Sequence, residues 1–419
     1  MDNEVHEQHF KRGFEWDWSA PRGYSNTTEA SLLAAPLQAP PPIIEDKAAD
    51  YALKNYPNLF KIVCPINVDM LEILLEDHPN QPFVISVLDG LCNGFWPMSN
   101  TPPDDGVINK NHTICNNFPE LLRSARDKEV TADRYSTGFQ KLAPGMIVSP
   151  LLLVEKKGSS KMHVCTDMSH GNPSLNNFIM KDKIWVVFDS FISFTLYMVE
   201  LKAKGKKIFL WRTNAARAYW NMPIHPQYQL RQIILIGDQY HVDHCVNFRS
   251  SASPKIWHCQ DILWCFFFSL VLWLAVYKFG ITRINNLMDD TWGVCTKDKF
   301  TTYKGSRMPT DQAKFLYLFD TLNTPWEWKK QIWGEKIEII RHYVDASNLS
   351  FSLSPEKKQD LILALWTFVS VKQHKLKDWK SLLRWASWGL NSFPLGRFAL
   401  QAAVVRINGK RIHLDDYYI

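Results

Sequence analysis

The apolar run from Ile262 to Tyr277 constrains the fold most strongly, because a segment of this kind must be removed from water. It reads ILWCFFFSLVLWLAVY, and Ser269 is its one polar residue. A membrane-spanning helix needs about 20 consecutive apolar residues, whereas Asp261 and Lys278 close this run after 16. The length therefore predicts a buried core helix, with membrane anchoring as the alternative.

The composition of the 419 residues is that of a globular protein. Hydrophobic residues make up 46% and charged residues 21%, which excludes collagen-like, coiled-coil and wholly disordered classes. The charge is uneven, since residues 1–150 carry 12 basic and 20 acidic side chains and residues 151–419 carry 36 and 22. This basic excess predicts a polyanion partner for the larger part. A solvated basic surface is the alternative.

Local patterns divide the chain into four regions. Prolines interrupt residues 1–65 and predict a disordered or linker-rich tail. Helical spacing follows in residues 66–143, and strand-like runs with turn signals begin at 144 and continue to 345. Residues 346–419 return to helical patterns, which start from the capping signature Ser354-Pro355-Glu356. The order of patterns predicts a mixed α and β domain with a helical C-terminal part.

The sharpest local feature is the carboxylate pair Asp289-Asp290. It lies between two apolar segments in residues 284–294, which predicts a β-hairpin with the pair at its turn. Adjacent carboxylates repel each other unless a positive group lies on them. A divalent metal would serve, and two-metal phosphoryl transfer needs carboxylates from more than one strand. A solvated acidic turn is the alternative.

A second pattern lies 75 residues upstream of the pair. A predicted strand over residues 207–213 is followed by Asn214, by Tyr219 five residues later, and by the turn Pro223-Ile224-His225-Pro226. Together with Leu287-Met288-Asp289-Asp290, this arrangement resembles the polymerase palm of retroelement reverse transcriptases. The family has an Asp where Asn214 stands, and an aromatic residue where Leu287 stands.

The resemblance covers most of residues 75–410, and some segments resemble fungal retroelement-derived proteins. It implies an α+β fold of the right-hand polymerase type, with fingers and an antiparallel palm sheet in residues 144–345 and a thumb-like or connection-like region in 346–419. RNA or DNA template-primer and deoxynucleoside triphosphates are the implied partners, with other retroelement proteins as further partners. The implied activity is RNA-directed DNA synthesis by two-metal phosphoryl transfer.

The resemblance also implies roles for individual residues. The catalytic and Mg²⁺-binding (or Mn²⁺-binding) group would be Asn214, Asp289 and Asp290. The implied nucleotide-binding residues are Lys156, Lys161, His163, Tyr219, Lys329 and Lys330. The implied template and primer contacts are Phe248, Arg249, Ser251, Pro254, Lys377, Lys380 and Arg384.

Several of these positions depart from the family pattern. Asn214 offers an amide oxygen without charge, and hard cations favour carboxylates. Arg249 and Ser251 replace a Gly and an Arg in the template turn, His163 replaces an Arg of the fingers, and Arg341 replaces a Gly that opens the primer-grip strand. The segment 258–265 resembles an insertion within a helix. These departures predict a polymerase with an impaired site, and a catalytically inactive nucleic-acid-binding relic is the alternative.

Two histidines and the N-terminal segment bear on metal binding and on cellular location. His241 and His244 could suggest zinc, but their spacing on a strand directs them to opposite faces, which favours a structural role. The polar N-terminus shows no signal-peptide pattern. We therefore expect an intracellular protein, cytoplasmic or nuclear and not secreted, with no membrane partner.

Overall fold

The computed structural model describes residues 26–102, 104–155, 162–171, 174–180, 189, 191–246, 259–281, 283–392 and 394–407. Within these ranges the α-helices are α1 (Asn26–Leu33), α2 (Lys47–Asn55), α3 (Val68–Leu74), α4 (Gln81–Asn93), α5 (Pro119–Thr131), α6 (Phe191–Ala203), α7 (Pro226–Gln229), α8 (Cys259–Tyr277), α9 (Thr310–Thr321), α10 (Pro355–Val369), α11 (Leu376–Gly389) and α12 (Gln401–Ile407).

The strands of the same ranges form several small sheets. They are β1 (Val107–Ile108), β2 (Ile147–Val148), β3 (Leu151–Glu155), β4 (Met162–Thr166), β5 (Ile208–Asn214), β6 (Ile233–Ile236), β7 (Gln239–Val242), β8 (Ile284–Leu287), β9 (Asp290–Thr296), β10 (Phe300–Tyr303), β11 (Ser306–Pro309), β12 (Ile332–Gly334), β13 (Lys336–Ile339), β14 (His342–Asp345) and β15 (Ser350–Leu353). The predicted α+β class is confirmed.

A four-stranded antiparallel sheet positions the candidate site. Its order is β12-β5-β9-β8. Strands β8 and β9 form the hairpin predicted around the carboxylate pair, and β5 pairs with β9 along seven positions from Ile208 to Asn214. Strands β6 and β7 form another hairpin. The sheet therefore joins the strand that ends at Asn214 directly to the carboxylate hairpin.

Helix α8 contains the long apolar run and lies in the main hydrophobic core. Its residues from Leu263 to Ala275 are buried except for Phe266, which is partly exposed. Aromatic side chains of α9, including Phe315 and Phe319, pack against it. The prediction of a buried helix is confirmed, and in the described part of the chain no helix has the length and apolarity to cross a membrane.

The apparent insertion at 258–265 does not interrupt this helix. From Cys259 onward the segment is continuous with the rest of α8. Leu263 and Trp264 are fully buried, because the helical spacing turns them into the core. The described part of the segment is thus an integral part of the helix.

Residues 26–65 differ from the predicted tail. Helix α1 packs along α8, and α2 buries Ala48, Ala49 and Ala52. Asp46 caps α2 and forms a fully buried ion pair with Arg231, with 2.9 Å between Oδ1 and Nη2. A proline-rich composition does not reveal such distant contacts, so the tail prediction does not hold for residues 26–65; residues 1–25 lie outside the described ranges.

The C-terminal region consists of the antiparallel sheet β13-β14-β15 followed by helices. Ser354 caps α10 through a hydrogen bond from the Lys357 backbone amide, as the capping signature predicts. Helix α11 ends at Gly389. Within residues 346–419, strand β15 occupies 350–353, and the helices begin at Pro355.

Candidate active site

The turn between β8 and β9 is held in a defined conformation by its neighbours. Leu287 pairs with Asp290, so Met288 and Asp289 form a two-residue turn. Met288 has a φ of 58°, which is costly for a residue with a side chain. The Asn286 side-chain amide donates to the backbone oxygens of Met288 and Asp290, both at 3.0 Å. These bonds fix the direction in which the two carboxylates leave the hairpin.

The pairing of β5 with β9 brings Asn214 opposite Asp290. The amide nitrogen Nδ2 of Asn214 lies 2.8 Å from Oδ2 of Asp289 and 3.1 Å from Oδ1 of Asp290. Asn214 therefore contacts both carboxylates, the two residues with which the resemblance groups it. All three are partly buried.

Lys330 joins this cluster through the side-chain oxygen of Asn214. Its ammonium Nζ donates to Asn214 Oδ1 at 2.9 Å and to the backbone oxygen of Ala215 at 3.4 Å. A short 3-10 helix, Trp328–Lys330, carries the lysine, and an antiparallel bridge between Ala215 and Trp326 holds the preceding segment. The Asn214 amide thus accepts from a cation and donates to two carboxylates.

The electrostatics of the cluster raise the pKa of Asp290. Burial is the largest cause, because it disfavours the charged form, and the neighbouring Asp289 carboxylate adds to it. Arg212, the hydrogen bond from Asn214, and Lys330 act in the opposite direction. The positive groups therefore offset only part of the pKa increase that burial and the adjacent Asp289 carboxylate cause.

The side chains of Asn214, Asp289 and Asp290 do not supply the set of ligand atoms that a two-metal centre needs. Asp289 and Asp290 offer the oxygen ligands that Mg²⁺ prefers. The Asn214 group directed at them is an N–H donor, and its only oxygen already accepts from Lys330. Two-metal phosphoryl transfer would need a metal-binding oxygen on the adjacent strand, at the position that the Asn214 amide nitrogen occupies.

Tyr219 lies beside the carboxylate turn. Its side chain is buried, and its hydroxyl lies 3.6 Å from the sulfur of Met288. Arg217 precedes it with a φ of 53°, at the point where the chain leaves β5. The structure thus places Tyr219 against the turn, and its role in nucleotide selection stays a prediction.

The other predicted site residues are dispersed or lie outside the described ranges. Lys329 is exposed and pairs with Glu327 rather than with the carboxylates. His163 is exposed on β4, and Lys377, Lys380 and Arg384 lie along α11. The predicted residues outside the described ranges are Lys156, Lys161, Phe248, Arg249, Ser251 and Pro254.

The rings of His241 and His244 form hydrogen bonds with backbone oxygens. His241 Nδ1 bonds the backbone oxygen of Ser136, and the two ring nitrogens of His244 lie 2.6 Å and 2.9 Å from the oxygens of Asp133 and Leu59. Both rings are buried. These contacts agree with the structural role that the spacing favours.

Three residues that the sequence does not single out also shape the site. Asn286 braces the turn, Trp264 donates from Nε1 to the Met288 oxygen at 3.3 Å, and Arg212 contributes positive charge near Asp290. Arg212 lies two positions before Asn214 on β5, so strand alternation could have placed both on one face. Nothing in the local sequence connects Trp264 to a turn 24 residues away.

Among known proteins, this chain is similar to a group of solved structures. No family model matches this chain, and no curated protein does. Three of the similar solved structures are foamy viral protease-reverse transcriptases: one designated dRH with double-stranded DNA, one with an RNA/DNA hybrid and a third with double-stranded DNA. Their sequence identities are 11%, 10% and 12%, with TM-scores of 0.47, 0.46 and 0.45. The matches cover 94%, 94% and 90% of this chain, but only 58%, 45% and 66% of those chains.

Proposed function

We propose that this chain is a reverse-transcriptase-like domain of a retroelement in which template-directed DNA synthesis is impaired at Asn214. The observation that carries the proposal is the contact of Asn214 with Asp289 and Asp290 across two paired strands. A solvated acidic turn would not need a polar partner at the end of the adjacent strand. This arrangement is the one that the resemblance implies for the palm, with an amide in place of one acid.

The impairment follows from the chemistry of the amide. Asn214 adds no negative charge, and it directs N–H donors toward the oxygens that would bind a cation. Loss of one preorganised electrostatic contact costs about 3–4 kcal/mol of transition-state stabilisation, or roughly 10²- to 10³-fold in rate, by analogy with oxyanion-hole deletions. We therefore expect synthesis by this chain to be weak or absent.

The charge distribution favours a second candidate, a catalytically inactive nucleic-acid-binding protein. Residues 151–419 carry 14 more basic than acidic side chains, and phosphate backbones bind such surfaces without sequence preference. Within the carboxylate cluster, Asn214 already bonds to Lys330 and to both acids, and Asn214 and Lys330 offset part of the repulsion between the two carboxylates. The protein would then bind nucleic acid without catalysing DNA synthesis.

Two assays on one preparation separate the candidates. The first is primer extension on an RNA template with Mg²⁺ or Mn²⁺, by the unaltered chain and by the double variant Asp289→Asn with Asp290→Asn. The second is template-primer binding at several salt concentrations. Weak extension that the double variant lacks, with binding retained, supports the polymerase proposal. Salt-dependent binding with no extension supports the second candidate, and extension that survives in the double variant contradicts the site assignment.

A further inference from the structure

A second cluster of metal-binding side chains lies at the end of the β3-β4 hairpin, in residues that no predicted function uses. His112, Asp167 and His170 each direct one ligand atom into a common space, and these atoms lie within 4.8 Å of one another. His112 Nε2 is 3.0 Å from Asp167 Oδ2. The two imidazole rings meet edge to face, with centroids 5.2 Å apart.

Backbone hydrogen bonds hold the segments that carry these side chains. The amide of His112 donates to the Leu151 oxygen at 3.0 Å, and the amide of Asp167 donates to the Pro150 oxygen at 2.8 Å. Leu151 is itself paired with Thr166 in the hairpin. His112 and Asp167 therefore approach from two segments fixed to the same end of one hairpin.

The third group is positioned by a tight turn. The His170 amide donates to the Asp167 backbone oxygen at 3.3 Å, and the Ser169 amide donates to Asp167 Oδ1 at 3.1 Å. The second bond orients the carboxylate so that Oδ2 faces His112. The Asp167 side chain is thus held at one oxygen by its own turn and offers the other to the cluster.

We propose that His112, Asp167 and His170 form a binding site for a late first-row divalent metal ion such as Zn²⁺. Imidazole nitrogens favour Zn²⁺, Co²⁺ and Ni²⁺, whereas Mg²⁺ and Ca²⁺ favour oxygen-only sites. Three protein ligands leave at least one coordination position to water. His170 is exposed and the other two are partly buried, so solvent reaches that position.

The site differs in chemistry from the Asp289-Asp290 cluster. The carboxylate cluster offers oxygen ligands and an amide, while this one offers two nitrogens and one oxygen. A metal here would connect the chain before α5 to the hairpin of β3 and β4. Its binding would therefore raise the thermal stability of the protein, because ligands that bind only the folded state stabilise it.

The alternative is a simple ion pair between His112 and Asp167. A pair would not involve His170, so replacing this exposed residue separates the two explanations. His170→Ala removes the ring contact with His112 but keeps both partners of the bond between His112 and Asp167. His112→Ala removes a ligand from the other segment, and His374→Ala removes a histidine far along the chain, in the connection between α10 and α11.

The test is titration of the full chain with Zn²⁺ by calorimetry and with Co²⁺ by visible absorption. We expect one site per chain, a rise in melting temperature with Zn²⁺, and at least about a tenfold loss of affinity in His112→Ala and in His170→Ala. His374→Ala and the double variant Asp289→Asn with Asp290→Asn should bind as the unaltered chain does. Absence of stoichiometric binding, or unchanged affinity in His170→Ala with folding verified by circular dichroism, overturns the proposal.

Discussion

The amide nitrogen of Asn214 lies 2.8 Å from a carboxylate oxygen of Asp289, although 75 residues separate them in the chain. One neutral side chain therefore joins the end of β5 to the turn between β8 and β9. Because its oxygen also accepts from Lys330, the amide links a cation to two acids.

Replacing Lys330 with methionine should raise the pKa of Asp290 further. The Lys330 ammonium lowers this pKa in the unaltered chain, in opposition to burial and to Asp289. Lys329→Met is the matched control, since Lys329 pairs with Glu327 instead. An NMR titration of the Asp290 carboxyl carbon measures the effect. An unchanged pKa in Lys330→Met, or an equal change in both variants, would contradict the arrangement.

Asp290→Asn should become increasingly stabilising, relative to the unaltered chain, as the pH rises. The folded-state pKa of Asp290 is raised above the usual 3.8, so the folded state binds this proton more tightly than the unfolded state does. Protonated Asp290 makes its full contribution to the stability of the folded state below pH 3.8. This contribution is lost as the pH rises through the folded-state pKa. Urea unfolding of both proteins at a series of pH values measures the difference.

Asp298→Asn provides a control with the opposite sign. The pKa of Asp298 is lowered, first by a hydrogen bond from the Thr296 side chain. Its ionised form therefore stabilises the folded state above pH 3.8, and this variant should lose stability relative to the unaltered chain as the pH rises. A parallel trend in the two variants would show that the Asp290 environment is not the cause.

His342→Phe should protect the protein against acid. His342 is fully buried and stacks on Phe351, and burial lowers its pKa from 6.5 to about 4. Stability from the neutral ring is complete above pH 6.5 and is lost as the pH falls through 4. The unaltered chain should therefore lose about 3 kcal/mol more unfolding free energy than the variant between pH 7 and pH 4. Equal losses in both proteins would contradict the prediction.

Asp46→Asn should destabilise the whole described fold rather than a detached tail. The change leaves the Arg231 charge buried without its main partner, and Asp104 lies farther away at 3.8 Å. Breaking one side of a buried pair costs about 3–5 kcal/mol, while asparagine preserves the cap on α2. Asp50→Asn removes an exposed pair with Lys54 and should cost less than about 0.5 kcal/mol. Unfolding free energies from urea titration check both values.

Local patterns were sufficient to predict much of the fold. The hairpin around Asp289-Asp290 and the start of α10 each depend on neighbouring residues, and both are present. The length of the apolar run likewise predicted the burial of α8. Turn chemistry, capping and hydrophobic length act over a few residues, so the sequence displays them directly.

Contacts between distant residues were harder to predict. The pairing of Asp46 with Arg231 spans 185 residues, and the contact of His112 with Asp167 spans 55. Neither leaves a periodic signal, because each depends on where separate elements meet. The approach of Asn214 to the carboxylates was foreseen only through the family resemblance. Strand order and register within a sheet are set by tertiary packing as well as by local propensity.

Primer extension by Asn214→Asp measures whether the Asn214 amide impairs a polymerase site. The variant is compared with the unaltered chain on an RNA template with Mg²⁺ or Mn²⁺. We expect a gain of roughly 10²- to 10³-fold in extension rate, and loss of that gain when Asp289→Asn and Asp290→Asn are added. An unchanged rate in a folded Asn214→Asp protein, or a gain that persists without the two carboxylates, would contradict this expectation.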